Sequence, residues 1–494
     1  MLNLLLTLLL AAAPPLVDAV KSGNTTAAVA LLAQGTDVNA AEADGTTALH
    51  YAVHRGDVEL VRRLLRAGAR VNAKNEYGAT PMSEAAVVAE PAMIEALLGA
   101  GADVESPNAD GQTALMVVAR TSQVDSARLL LARGARVNAV EQWRGQTALM
   151  WAVAQKQPAM VKALIAAGAD VNARSQVNNW ERQVTAEPRA IYRPAGGLTP
   201  LLYAAREGCV ECATLLVDGG ADINLADPEG ISPLLMAVMN MHFDLAASLI
   251  RKGANPDKWD FWGRAPLYTA VDLNTIPRGG RPDRPSLDKA TSVEVAAMLL
   301  EAGANVNARL KLSPPFRNIG NDRGLDGLLT TGTTPLLRAA KALDVPAIRV
   351  LLQHGADVTL PNARGITPIM AAAGMGSVDA DTRGFYLSED VEQRSIGSLK
   401  LLIEAGGDLN AKDPRGLTPL HEAARWGWND VVQFLADNGA DLQAKDNRGN
   451  TPVDSALGKA GGNSRGGQRI DVHEDTAALL KKLMAQRPAP ARPE

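Results

Sequence analysis

"RGLTPLHEAARWG" (415–427) reads as a helix start prepared on both sides. Gly416 suits a tight turn with positive φ. Thr418 is a good N-cap, and Pro419 is pre-set for the first helical position. Ala423 and Ala424 let a neighbouring helix approach closely. Downstream, Val431, Phe434 and Leu435 recur at i, i+3, i+4, the apolar face of a second helix. Gly439 then ends that helix as a C′ residue. A unit of this kind cannot bury its apolar face alone, so it must stack on copies of itself.

The copies are present. The Thr of the T-P-L phrase, or its substitute, recurs from Thr47 to Thr451 with steps of 33, 33, 34, 52, 33, 33, 69, 33, 51 and 33, each time with a glycine two positions before it. The G-A phrase that closes each unit recurs from Gly35 to Gly439 with its own steps of 33, 33, 33, 34, 52, 33, 50, 52, 51 and 33. Comparing the two series places the insertions. Those at 175–196 and 310–331 lie in loops between units, and those at 274–291, 376–396 and 458–472 lie between the two helices of a unit.

The 33-residue period and the copy "DGTTALHYAVHRGDVELVRRLLRAGARVNAKN" (44–75) resemble the ankyrin repeat, over nearly all of residues 14–485. The resemblance implies one all-α solenoid over 14–485, of about twelve helix-turn-helix units with β-hairpin-like finger loops and several inserted loops. Counting back 33 from Thr47 lands on Pro14, so "PPLVDAVKSGN" (14–24) is expected to open a first helix with no finger before it. The tail at 486–494 is expected to be disordered.

His421 and Glu422 suggest an acid–base pair until the column is read across units. The His421 position also holds His50, Ser83, Met116 and Leu202, and the Glu422 position holds Tyr51, Val117 and Trp151. This is a slot that tolerates many side chains, and neighbours on a helix diverge by about 100°. In ankyrin repeats, which the chain resembles, a histidine here bonds backbone of the neighbouring loop. Cys209 and Cys212 form a C-x-x-C at the start of a second helix, with Cys212 in the slot of Leu60. A zinc site needs two more ligands, so packing is the expected role; an i, i+3 disulfide, should one form in an exported chain, would constrain little. His54, His242, His354 and His473 show no metal spacing, and no nucleophile or phosphate-loop motif occurs.

The 494 residues carry a net charge of −4, a balance that offers no basic face for nucleic acid. Hydrophobic residues make up 46 % but aromatics only 4 %, so the core must be aliphatic. Residues Leu2 to Ala13 are apolar, too short to span a bilayer, and end in the A-x-A-like Ala11-Ala12-Ala13. No Lys or Arg precedes the run, and Pro14 follows the site directly. The expectation for residues 1–13 is a signal peptide exporting a bacterial protein to the periplasm or medium. The alternative is an apolar helix covering the first unit of a cytoplasmic protein.

Exposed aromatics and arginines dominate binding hot spots. Tyr77, Trp143 with Arg144, Trp259, Phe261, Trp262 and Arg264 lie at the finger glycines; Trp180 lies in the first insertion and Trp426 at a helix end. These are the candidate partner-binding residues, in a groove centred on repeats four to seven. The competing reading folds some of these tryptophans under the insertions as satellite cores. The expected function is a non-enzymatic, monomeric scaffold for a protein partner, without cofactor, metal, nucleic acid or membrane span. The alternative is an enzyme-associated or ligand-sensing protein with a site in the inserted loops.

Overall fold

The side chains that open the helices do what the repeated phrase requires of them. Thr80, Thr113, Thr147, Thr199, Ser232 and Thr334 each sit in extended backbone and accept the N–H of the third helical residue. Proline follows at the first helical position in many of these helices, where its missing N–H costs nothing. At the other end Gly439 takes φ +97, and its N–H bonds the Ala436 carbonyl.

The structure is a computed structural model and describes residues 14–183, 190–274, 287–312, 328–375, 390–459 and 472–486, with backbone alone at 179–183 and 190–195. The chain divides into two compact units, Met1–Asn178 with Pro194–Pro228, and Asn179–Arg193 with Glu229–Glu494. Twenty-four helices lie among the described residues, twelve in each unit.

In unit 1 the first helices of the pairs are α1 Pro15–Lys21, α3 Ala48–His54, α5 Pro81–Val88, α7 Ala114–Val118, α9 Ala148–Ala154 and α11 Pro200–Glu207. The second helices are α2 Thr25–Ala33, α4 Val58–Arg66, α6 Pro91–Gly99, α8 Val124–Ala132, α10 Pro158–Ala166 and α12 Val210–Asp218. Each first helix packs on its own second helix and on the first helices beside it, and the second helices pack on one another, so two layers enclose an aliphatic core. Leu49, Leu64, Leu97, Leu130, Leu149 and Leu164 are almost wholly buried in it. As expected, a first helix, α1, opens within 14–24; what precedes Pro14 lies outside the described residues.

Unit 2 repeats the plan. Its first helices are α13 Pro233–Met239, α15 Pro266–Asn274, α17 Pro335–Lys341, α19 Pro368–Ala372, α21 Pro419–Trp426 and α23 Pro452–Ala456. Its second helices are α14 Phe243–Arg251, α16 Ser292–Glu301, α18 Val345–Gln353, α20 Val391–Glu404, α22 Asn429–Asp437 and α24 Glu474–Gln486. Val431 and Leu435 are buried as the periodicity requires, Phe434 is half-buried, and Val432 joins them inside.

The insertions differ in kind. The first carries a two-stranded hairpin, β1 Val177–Gln183 with β2 Ala190–Gly196. The one at 376–396 contributes the opening turns of α20, which reaches 14 residues. Most of the others, like the N-terminal run 1–13 and the tail 487–494, lie outside the described residues. Cys209 caps α12 with its sulfur, which accepts the Cys212 N–H at 3.2 Å. The two cysteines are joined as a disulfide, and Cys212 is fully buried in the slot that Leu60 fills in α4.

Candidate functional site

A finger is the loop from the closing glycine of one pair to the threonine of the next. Loop N–H groups have no helix to satisfy them, so a side-chain oxygen must. In six fingers the residue three before the finger glycine supplies it. Asn75 Oδ1 accepts from the Tyr77 and Ala79 N–H groups at 3.1 and 2.8 Å. Asn108, Asp260, Asn362, Asp413 and Asp446 each accept two backbone N–H groups of their own fingers in the same way, all within 3.1 Å. In the finger of Trp143, Glu141 accepts three, from Trp143, Arg144 and Gln146.

Neighbouring fingers are also tied to each other. In unit 1 the Glu76 N–H donates to the Asp44 carbonyl at 2.8 Å and the Gln176 N–H to Arg144 at 2.7 Å. In unit 2 Phe261 donates to Glu229, Lys311 to Trp262, Ala363 to Thr331 and Asn447 to Arg415, at 2.8–2.9 Å. Where the finger after Arg364 would make this bond, Pro414 stands and has no N–H. Where these bonds run, the finger edge is a preformed strip of backbone, and a ligand docking on it would not have to order it.

The repeated histidine locks helix to finger. His421 Nδ1 accepts from the Thr418 N–H at 3.2 Å and hydroxyl at 2.8 Å, and Nε2 lies 3.2 Å from the Asn450 carbonyl in the next finger. A carbonyl only accepts, so the ring proton sits on Nε2. His50 repeats the set with Thr47 and the Ala79 carbonyl. Burial pushes both rings below the ordinary histidine pKa of 6.5 and keeps them neutral. The scaffold reading of His421 holds; Glu422 instead pairs with Arg425, whose Nε lies 2.9 Å from Oε1.

The candidate partner-binding residues separate into three groups. Tyr77 and Trp143 are 70 % and 72 % exposed at their finger tips; Arg144, Trp259 and Phe261 are exposed as well. Trp262 and Arg264, expected among the exposed set, are 7 % and 5 % exposed. The Asp260 carboxylate draws Arg264 inward, with Oδ2 2.7 Å from Nε, and the guanidinium lies 4.8 Å over the Trp262 ring. Lys311 and Leu312 of the next finger bond the Trp262 carbonyl. Both side chains are core, as the competing reading has it for some of the tryptophans, next to the first described residues of the 310–331 insertion. Trp426 is half-buried: its Nε1 donates to the Gly374 carbonyl at 3.0 Å and its ring stacks on buried Trp428. Trp180 lies on β1, and its side chain falls outside the described residues.

Sequence reasoning missed a row of cations. Arg364, Arg415 and Arg448 stand one residue before the finger glycines of three successive fingers in unit 2, with Lys412 and Lys445 beside them, all exposed. Reading the column before the finger glycine, as was done for the histidine column, reveals it. Among the described residues no group of three or more His, Cys, Asp or Glu is placed to hold a metal ion, and no helix is long and apolar enough to cross a membrane.

The sequence profile for ankyrin repeats (3 copies) matches residues 16–108, 86–175, 201–309 and 388–465, and the single ankyrin-repeat profile matches 331–363. The chain is 27 % identical over 225 residues to the human transient receptor potential cation channel subfamily A member 1, covering 46 % of this chain and 16 % of that protein. It is 30 % identical over 199 residues to the mouse B-cell lymphoma 3 protein homolog, covering 39 % of this chain and 36 % of that one. Human ankyrin repeat and SOCS box protein 16 is 29 % identical over 237 residues, 48 % of this chain and 42 % of its own. The chain thus spans less than half of each of these relatives. Among solved structures, the human ASB11 ankyrin repeat domain aligns over 49 % of this chain and 99 % of its own, at 26 % identity and TM-score 0.41. The ankyrin repeat domain of Bcl-3 aligns over 47 % and 96 %, at 30 % identity and TM-score 0.38.

Proposed function

The chain belongs to the ankyrin-repeat family, and from that premise we propose that it is a non-catalytic scaffold, holding a protein or peptide partner along its finger edges and the first-helix faces beside them. Proteins of this family generally act as interaction scaffolds. The observation that carries the reading here is the exposure of Tyr77 and Trp143 on turns whose N–H groups are already satisfied. Large aromatics on a rigid support give contact area at small entropic cost.

A photo-cross-linking residue in place of Tyr77 or Phe261 is expected to capture protein adducts in cells of the source. The same residue in place of Arg62, exposed on α4 in the second-helix layer, is expected to capture few. Equal adducts from both layers would remove the finger edge from the account. Trp143→Ala should weaken the captured partner by more than about 2 kcal/mol while leaving the fold intact. Phe261→Ala is the matching variant in unit 2, because Trp262 is buried.

We propose further that the scaffold works as a monomer, without nucleic acid, and outside the cytoplasm. The apolar run Leu2 to Ala13 with its alanine triplet supports export. Expression with the native N-terminus in a Gram-negative host, followed by fractionation and intact mass, tests it. A periplasmic product shortened near Ala13 fits the proposal, and a full-length cytoplasmic product contradicts it.

A further inference from the structure

We infer that the finger edge of unit 2 takes an extended, acidic segment of a protein partner, with a carboxylate at every third residue. This rests on the scaffold reading above and names the chemistry of its partner. Three consecutive fingers present Arg364, Arg415 and Arg448 at the same place, immediately before Gly365, Gly416 and Gly449. Lys412 and Lys445 add a second cation to two of them. The acids of the same turns face inward. Asp413, 2 % exposed, spends one oxygen on two backbone N–H groups and the other on Arg415 Nε at 2.7 Å. Asp446 accepts from the Arg448 and Asn450 backbone and from Asn450 Nδ2, and the first finger has neutral, buried Asn362 in that position. The outward charge of the strip is positive although the chain as a whole carries −4.

The spacing follows from the packing. The first helices α17, α19, α21 and α23 lie side by side, and packed helices are about 8–10 Å apart. The fingers of Arg415 and Arg448 keep that step, since Asn447 N–H bonds the Arg415 carbonyl and Lys412 Nζ bonds the Lys445 carbonyl, and the fingers of Arg364 and Arg415 meet where the Pro414 ring lies against Gly365. An extended chain advances about 3.3–3.6 Å per residue, so it crosses one finger about every three residues. The arginine fork matches a carboxylate in shape, and no acidic side chain among the described residues pairs with Arg364 or Arg448. Each strand of a nucleic-acid duplex brings one phosphate about every 3.4 Å of its axis, roughly three per finger, more than one or two cations over a buried acid can balance.

The test uses the full chain and four fluorescent probes: a dodecapeptide of four Glu-Ala-Ser repeats, an isomer with its four glutamates contiguous, a Lys-for-Glu version, and a twelve-nucleotide oligothymidylate. The spaced acidic peptide is expected to bind best at low salt. Arg364→Gln with Arg448→Gln should weaken it by about tenfold, and Lys at both positions should restore most of that. Arg415 is left in place because it holds the buried Asp413 carboxylate. Circular dichroism melts confirm that each variant folds. Unchanged affinity in the double Gln variant, indifference to glutamate spacing, equal binding of the Lys peptide, or tighter Arg-dependent binding of oligothymidylate each overturns the inference. Selection of random dodecapeptides on the same chain separates it from the scaffold reading. Selected peptides that lack acids but are lost on Trp143→Ala sink the inference and leave the scaffold standing. If no peptide is selected and the spaced probe fails, both fall.

Discussion

In the first four fingers of unit 1 the residue before the glycine is Asp44, Tyr77, Asp110 or Arg144; in the fingers of unit 2 it is Glu229, Trp262, Thr331, Arg364, Arg415 or Arg448. The glycine takes positive φ in all ten, and in the fingers of Tyr77, Asp110, Arg144, Trp262, Arg364, Arg415 and Arg448 an Asn, Asp or Glu oxygen gathers the N–H groups. The difference teaches where this scaffold leaves freedom. The backbone N–H groups of most of these turns are satisfied by another side chain, with Asp44, which accepts the Thr46 N–H, and Arg415, which meets Asp413, joining in, so the residue just before the glycine can change from acid to aromatic to base while the repeat survives. Trp262 differs from the other tips in being buried as part of the core.

That division between scaffold and freely variable tip can be broken by substitution, and the largest effect is expected at Asp260. Asp260→Ala leaves buried Arg264 without its carboxylate, which should cost about 3–5 kcal/mol in urea unfolding. Asp413→Ala loses the same two turn bonds, but its Arg415 is 65 % exposed and finds water, so about 1–2 kcal/mol is expected. Equal losses would show that the turn bonds, and not the buried pair, dominate.

Next in size is the glycine pair. At Gly263, φ is +81 and an added Cβ would stand 2.7 Å from the Lys311 backbone nitrogen. At Gly449, φ is +85 but nothing lies within 4 Å. Gly263→Ala should cost about 2–3 kcal/mol and Gly449→Ala about 1 kcal/mol, read by the same unfolding curves. If the two cost the same, backbone strain alone sets the price and the close approach of the fingers is irrelevant.

The histidines sharpen the comparison through pH. Both rings have a folded-state pKa lowered by burial, so protonation favours the unfolded chain. The stability they confer is complete above the unfolded value of about 6.5 and is lost as pH falls below it toward the folded pKa. Melting temperature should therefore drop between pH 7.5 and 5.5, and His50→Gln with His421→Gln should flatten that part of the profile. A double variant with an unaltered slope would contradict the neutral-histidine lock. The smallest effect is expected at a tip itself: Tyr77→Ala should change stability by no more than about 0.5 kcal/mol.

The period, caps and aliphatic core were legible in the sequence because each depends on residues at fixed spacing within one unit. Thr418, Pro419 and Gly439 declare their roles wherever they stand. The candidate site was read only in part. Tyr77, Trp143, Trp259 and Phe261 are exposed as expected, but Trp262 and Arg264 are buried, and the Trp262 carbonyl meets Lys311 and Leu312, which sit across α15, α16 and an insertion. No local pattern encodes that distance. The arginine column was visible all along and passed unread because the balanced net charge concealed it.

The account stands on fingers that are formed before any partner arrives. Amide hydrogen exchange of the free chain tests this most directly, at Phe261, Lys311, Ala363 and Asn447 in unit 2 and at Glu76 and Gln176 in unit 1. Each of these N–H groups bonds the carbonyl of the preceding finger. Protection comparable to that of the neighbouring first helices is expected at all six. Exchange at the rate of an unstructured loop would contradict the account, because the tips would then be ordered only by what binds them.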